Sequence, residues 1–168
     1  WTVLAISFWR RSTAQDASGD PALTVRNRRW SAPGMVLFAF SAAFGGIDLL
    51  MALNPRWHST MFGMYFFSGC AVGFFALLPL AVLVLQAAGR LRSAVTAEHF
   101  HDMGKFLFAF VTFWAYIAFS QYMLIWYADM PEETHWYLKR ASPEAGSWNA
   151  VSLLLLFGHW LIPFVALL

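Results

Sequence analysis

Glu98, His99, His101, Asp102 and Lys105 crowd the head of an apolar run that continues through Thr112, Tyr116 and Ser120. On a helix turning about 100° per residue, His101, Asp102, Lys105, Thr112, Tyr116, Ser120 and Tyr127 fall within one face of roughly 100°. Gln121 and Tyr122 fall outside that face. Acids, bases and hydroxyls in one file can pass protons along water or hydroxyl groups. Lipid does not tolerate such a file, so it is expected to face protein or water. The charged head then reads as a proton entry funnel. The competing reading is an interfacial cap, in which acid complements the helix dipole and Lys105 snorkels. Asp102 and Lys105, at i and i+3, are spaced to pair, and His101 and Lys105, at i and i+4, lie close together. Thr112, Tyr116 and Ser120 equally suit hydrogen-bonding glue between helices.

Asp48 is the strongest single residue, set inside the apolar stretch FSAAFGGIDLLMAL. An ionised carboxylate at that depth is costly unless paired, so Asp48 reads either as a proton-exchanging carboxyl or as one satisfied by a neighbour's hydroxyl or arginine. Ser41 and Gly45 share its face, which predicts close packing there. His159, mid-way through LLFGHWLIPF, could be a proton group, a haem ligand or a hydrogen-bonded core histidine; no second histidine at matching depth favours haem. Glu132 and Glu133 follow Pro131 and read as a cap or an outer contact rather than as catalytic groups. The EHFHD cluster invites a metal reading. However, His99 and His101 point about 200° apart on a helix, so they cannot share one ion there. Cys70 is the sole cysteine, which excludes an intrachain disulfide, an iron–sulfur cluster held by this chain and a CxxCH-attached haem.

The elements that must position these residues are membrane-like. The sequence is 60% hydrophobic and 18% aromatic with only 12% charged residues, well away from a soluble domain. A net charge of +2 gives no footprint for a nucleic-acid partner. The expected fold is an all-α transmembrane helix bundle over residues 1–168, with spans near 1–9, 34–53, 61–88, 97–128 and 149–168. Residues 10–31 read as a polar loop around Gly19, Asp20 and Pro21. Asn54-Pro55 ends a span, Ser59 or Thr60 can cap the next, and Pro79 can kink it. Gly89 is the expected C-cap, and Thr96 caps the polar-file helix with Glu98 near the third position of a capping box. Pro131 stops that helix, and a polar loop follows to about Trp148. The first and last spans look like cut helices, so a longer natural protein is expected.

Arg10, Arg11, Arg26, Arg28, Arg29, Arg90 and Arg92 gather on one side of this arrangement, with Lys105 just inside; only Arg56, Lys139 and Arg140 fall on the other. The positive-inside rule puts the Arg-rich connections in the cytoplasm. Trp57, Trp126, Trp136 and Trp148 read as an aromatic belt at the outer boundary. There is no phosphate-binding loop, CxxC or GxSxG, and the chain by itself shows no redox centre.

Four long stretches, RRWSAPGMVLFAFS, DLLMALNPRWHSTMFGMYFFSGC, EHFHDMGKFLFAFVTFWAYIAFSQYMLIWYADMPEET and LLFGHWLIPF, resemble the ActF family of membrane proteins in bacterial alternative complex III. That family belongs to the NrfD/polysulfide-reductase membrane anchors, and the resemblance covers nearly the whole chain. It implies a fragment of a two-bundle membrane protein in a quinol:cytochrome c oxidoreductase of the bacterial cytoplasmic membrane. It implies partners: a paralogous NrfD-like membrane protein, an iron–sulfur protein, c-haem proteins and small membrane proteins, with the clusters and haems held by the partners. Quinol is the complex's substrate. Members of the ActF family carry no redox cofactor, are often labelled quinone-binding, and have a proposed role in proton conduction. The positions this resemblance implicates are Asp48, His99, His101, Asp102, Lys105, Tyr116 and Ser120. The rival expectations are a purely structural scaffold for the redox subunits and a stand-alone transporter, which would need discontinuous helices around a mid-membrane cavity.

Overall fold

The computed structural model describes residues 1–142, Gly146 and 148–168, and among them every regular element is a helix. Four helical stretches are long and apolar enough to cross a membrane: Pro21–Leu53, Phe62–Ala87, Ala97–Ala128 and Trp148–Leu167. The all-α membrane character expected from composition is therefore carried by these four. The chain divides into two compact units, Trp1–Ser41 and Ala42–Leu168.

The first unit holds α1 (Thr2–Ser18) and the N-terminal part of α2 (Pro21–Leu49). Residues 10–31, expected as a loop, are helical except at Gly19 and Asp20. Gly19 takes the left-handed conformation (φ 67°) that closes α1, its N–H reaching the Gln15 carbonyl at 2.7 Å. Asp20 Oδ1 accepts the Ala22 N–H at 2.8 Å and starts α2. The polar residues stay helical because they bond across the hairpin. Arg11 donates to Asn27 Oδ1 at 3.4 Å, Gln15 meets Thr24, and Trp1 Nε1 donates to Ser41 Oγ at 3.1 Å.

In the second unit, α3 (Phe62–Ala87) and α4 (Ala97–Ala128) form the main packed pair. Val72, Val111 and Trp114 make the core, with Tyr65, Leu107, Phe110, Trp160 and Phe164 packed around it. Phe75 stacks between Phe106 and Phe110, at 5.2 and 5.4 Å. The last span starts as α6 (Trp148–Leu153), widens into a π-helix over Leu154–Leu161 and ends as α7 (Ile162–Leu167). Phe164 stacks on Phe108 of α4 at 5.2 Å.

Two helix starts differ from expectation. No side chain caps α3, whose N-cap is Met61; the Ser59 carbonyl accepts the Phe62 N–H instead. At α4 the third position is His99, not Glu98, so the imidazole makes the reciprocal bond of the capping box. Gly89 does lie just past α3 in the left-handed conformation (φ 81°), and the Arg90 N–H returns to the Leu85 carbonyl at 2.9 Å. The segment after Pro131, expected as a loop, is α5 (Pro131–Ala141). Proline in its first turn, Glu132 and Glu133 at its N-terminus and Lys139 and Arg140 at its C-terminus all favour a helix there. Of the connection that follows α5, residues 143–145 and 147 lie outside the described residues.

Candidate functional site

The polar file of α4 lies opposite the helix's packed side. Val111, Trp114, Ile117, Gln121 and Ile125 are the buried residues, at helical spacing. His101, Asp102, Lys105, Thr112, Tyr116 and Tyr127 are exposed, Tyr116 by 64%. Val111 and Trp114 take the core contact with Val72 of α3, so the file is left outward, with only Ser120 of the group half-buried.

Each polar group in the file has a local partner or none. Thr96 donates its backbone N–H to His99 Nδ1 at 3.2 Å, with Thr96 Oγ1 2.9 Å from the same nitrogen. A neutral His99 ring with Nδ1 accepting carries its proton on Nε2. Lys105 Nζ lies 3.2 Å from Asp102 Oδ1, the pair that the spacing predicts. The pair is well exposed and so contributes little to stability. A shallow open groove beside it is lined by Asp102, Lys105, Phe106 and Ala109. Thr112 Oγ1 donates to the Phe108 carbonyl at 2.9 Å, and Ser120 Oγ to the Tyr116 carbonyl at 2.7 Å. These two hydroxyl protons are spent on their own helix, leaving the oxygens as acceptors toward the outside.

Asp48 is not buried as expected. It is exposed at the next-to-last position of α2, with no hydrogen bond or ion pair among the described residues. The close packing predicted at Gly45 occurs one residue on. A Cβ on Gly46 would stand 2.9 Å from Phe66 of α3, whereas one on Gly45 would meet nothing within 4 Å. The Gly46 face meets α3, and Asp48, two residues on, points about 200° away from it. No hydrogen bond joins Asp48 to the α4 file among the described residues. Glu132 and Glu133 sit in the first turn of α5, away from the charged head of α4.

His159 sits in the π-helical segment with its ring edge-on to Trp114, centroids 4.4 Å apart. Its Nε2 is buried without a hydrogen-bond partner among the described residues. Wide turns of this kind are frequent where a helix presents a functional side chain. The described residues contain no group of three or more His, Cys, Asp and Glu side chains close enough to hold a metal ion.

Two polar features escape sequence reasoning. Gln121, only 7% exposed, places Nε2 3.5 Å from the Tyr137 hydroxyl of α5, while its Oε1 has no partner among the described residues. The nearest signal was negative: Gln121 fell off the polar face, which on a two-faced helix means the packed face. The second is a stack. Trp57 (3% exposed) lies 4.3 Å from Trp136, and the Arg140 guanidinium stands 3.2 Å over Trp136 and 4.9 Å from Trp148. Trp136 and Trp148, expected in a belt, thus share one cation, with Trp57 stacked on Trp136; Trp148 and Trp126 stay exposed. Such stacking on arginine stabilises by about 0.5–2 kcal/mol. Burial pulls the Arg140 guanidinium below its ordinary value and pushes the Tyr137 phenol above its own.

No protein-family model matches this sequence, and no curated protein is significantly similar to it.

Proposed function

We propose that this chain is a non-catalytic membrane subunit of a bacterial quinol:cytochrome c oxidoreductase of the alternative complex III type, and that the polar face of α4 helps conduct protons once a partner closes over it. One observation carries the reading. A helix long enough to span a membrane turns a file of acid, base and hydroxyl groups away from its own core. Lipid cannot solvate that file, so a neighbouring protein of the complex or a water-filled path beside it covers the file. The resemblance of the four sequence stretches supports the choice of complex. In this reading the Arg-rich connections face the cytoplasm and protons enter at His101, Asp102 and Lys105. The iron–sulfur and c-haem partners carry the electrons, and quinol is oxidised outside this chain.

A structural scaffold is the second reading, favoured by Thr112 and Ser120 donating to their own helix. Both readings are tested in the intact complex reconstituted in vesicles, with Lys105→Met and Tyr116→Phe variants. Conduction predicts fewer protons translocated per electron, with normal assembly and quinol oxidation. Full assembly with an unchanged ratio in both variants would sink it. Loss of assembly with no separable transport defect favours the scaffold.

A further inference from the structure

The α1–α2 hairpin collects positive charge that nothing in its own unit neutralises. Trp1–Ser41 contains Arg10, Arg11, Arg26, Arg28 and Arg29, against only Asp16 and Asp20. Among the described residues no ion pair joins any of these arginines to a carboxylate. Asp20 is occupied in starting α2. Arg11 is structural: it bonds Ser7 Oγ at 2.7 Å and Asn27 Oδ1 at 3.4 Å. That second bond sets Arg10 and Arg11 of α1 level with Arg26, Arg28 and Arg29 of α2. At about 100° per residue, Arg28 flanks the side of α2 that Thr24 and Asn27 turn to α1, whereas Arg26 and Arg29 point largely away from it. All three are exposed, as is Arg10.

The same level marks a change of solvent. On α1 the apolar stretch ends at Trp9, 67% exposed, immediately before Arg10. On α2 the apolar stretch opens after Trp30, 51% exposed, immediately after Arg29. The two transitions coincide because the hairpin is antiparallel. Exposed tryptophans belong at the headgroup layer of a bilayer. Guanidinium groups at that layer meet phosphate in a geometry suited to paired hydrogen bonds.

We propose that this arginine–tryptophan girdle is a binding site for anionic phospholipids, with Arg10, Arg26, Arg28 and Arg29 holding the headgroup phosphates and Trp9 and Trp30 lying along the acyl–headgroup boundary. Charge complementarity selects the occupant, since zwitterionic lipids carry a compensating ammonium and anionic ones do not. The site needs only that these helices stand in a membrane, and it is independent of proton conduction.

The test is native mass spectrometry of the full chain, extracted in detergent and offered phosphatidylglycerol or phosphatidylcholine in turn. The wild type retains phosphatidylglycerol preferentially, and the preference weakens with salt. R26Q, R28Q and R29Q each lower that retention roughly fivefold, as expected for one arginine at a charged membrane surface, while K139Q in α5 leaves it unchanged. Helical circular dichroism checks that the variants fold, as expected for exposed side chains outside the hairpin's hydrogen bonds. Equal retention of the two lipids would overturn the proposal. So would an equal loss in K139Q, or displacement of the lipid by inorganic phosphate at modest concentration, which would mark a free-anion site instead.

Discussion

Tyr137 presses its hydroxyl against the Gln121 amide in a region that water does not reach freely. Burial is the largest cause holding its phenol above the ordinary value; the Gln121 bond and the Arg140 charge oppose it, and the nearby Tyr65 and Tyr122 reinforce it. A phenol harder to ionise in the folded chain than in the unfolded one leaves stability intact below tyrosine's ordinary value of about 10. Stability is then lost as pH climbs through that value toward the folded one. Tyr137→Phe is expected to cost about 1 kcal/mol at neutral pH through the lost bond to Gln121. It is also expected to flatten the alkaline decline. Thermal unfolding of both proteins across neutral to strongly alkaline pH checks both effects, and identical alkaline slopes would count against a buried phenol. His159 belongs at this scale too. Its position in a span was legible, but the burial of its Nε2 without a partner among the described residues depends on the ring lying against Trp114, a residue far away in sequence.

Among elements, the approach of α2 to α3 rests on small residues. A Cβ on Gly63 would lie 2.9 Å from the Ala43 backbone oxygen, which cannot swing aside as a side chain can. Gly63→Ala is therefore expected to destabilise by about 1–3 kcal/mol through forced separation of the helices. Gly45→Ala has open space and should be neutral or stabilising by up to about 1 kcal/mol from helix propensity alone. Denaturant unfolding in detergent compares the two; equal effects would show that the contact is not tight. Both glycines stand in helical apolar stretches of similar composition, so nothing local distinguishes them. The helical nature of α5 was more accessible, since Pro131, two glutamates and two terminal cations mark a start and a stop. They were outweighed by the polarity of the stretch, which α5 tolerates because only Trp136 and Tyr137 need a partner surface.

Over the whole molecule, the four membrane-length helices keep much of their surface open, and even the most apolar window of α4 is only 28% buried. Lipid suits the Phe- and Leu-rich faces, but not the α4 file. A cysteine placed at Tyr116 should react with a water-soluble maleimide in the isolated, detergent-extracted chain. In the assembled complex it should be protected, whereas a cysteine at an apolar position such as Phe119 should react poorly in both states. Equal reactivity of the Tyr116→Cys site in both states would mean that no partner covers the file.

The amino-acid sequence alone determined the helical class, the membrane-length spans and the grouping of His101, Asp102, Lys105, Thr112, Tyr116 and Ser120 on one face. Those follow from apolar run length and the fixed turn of a helix, which are local quantities. Tertiary structure decided which way that face turns. Burial is a contest between faces, and α4 gave its inner side to Val111 and Trp114, which pack on Val72 of α3, and to Ile117. The same contest left Asp48 outside, drew Gln121 inside, set Trp136 and Trp148 against Arg140 and stacked Trp57 on Trp136. Each outcome depends on residues distant in the chain, and no period or spacing along the sequence encodes it.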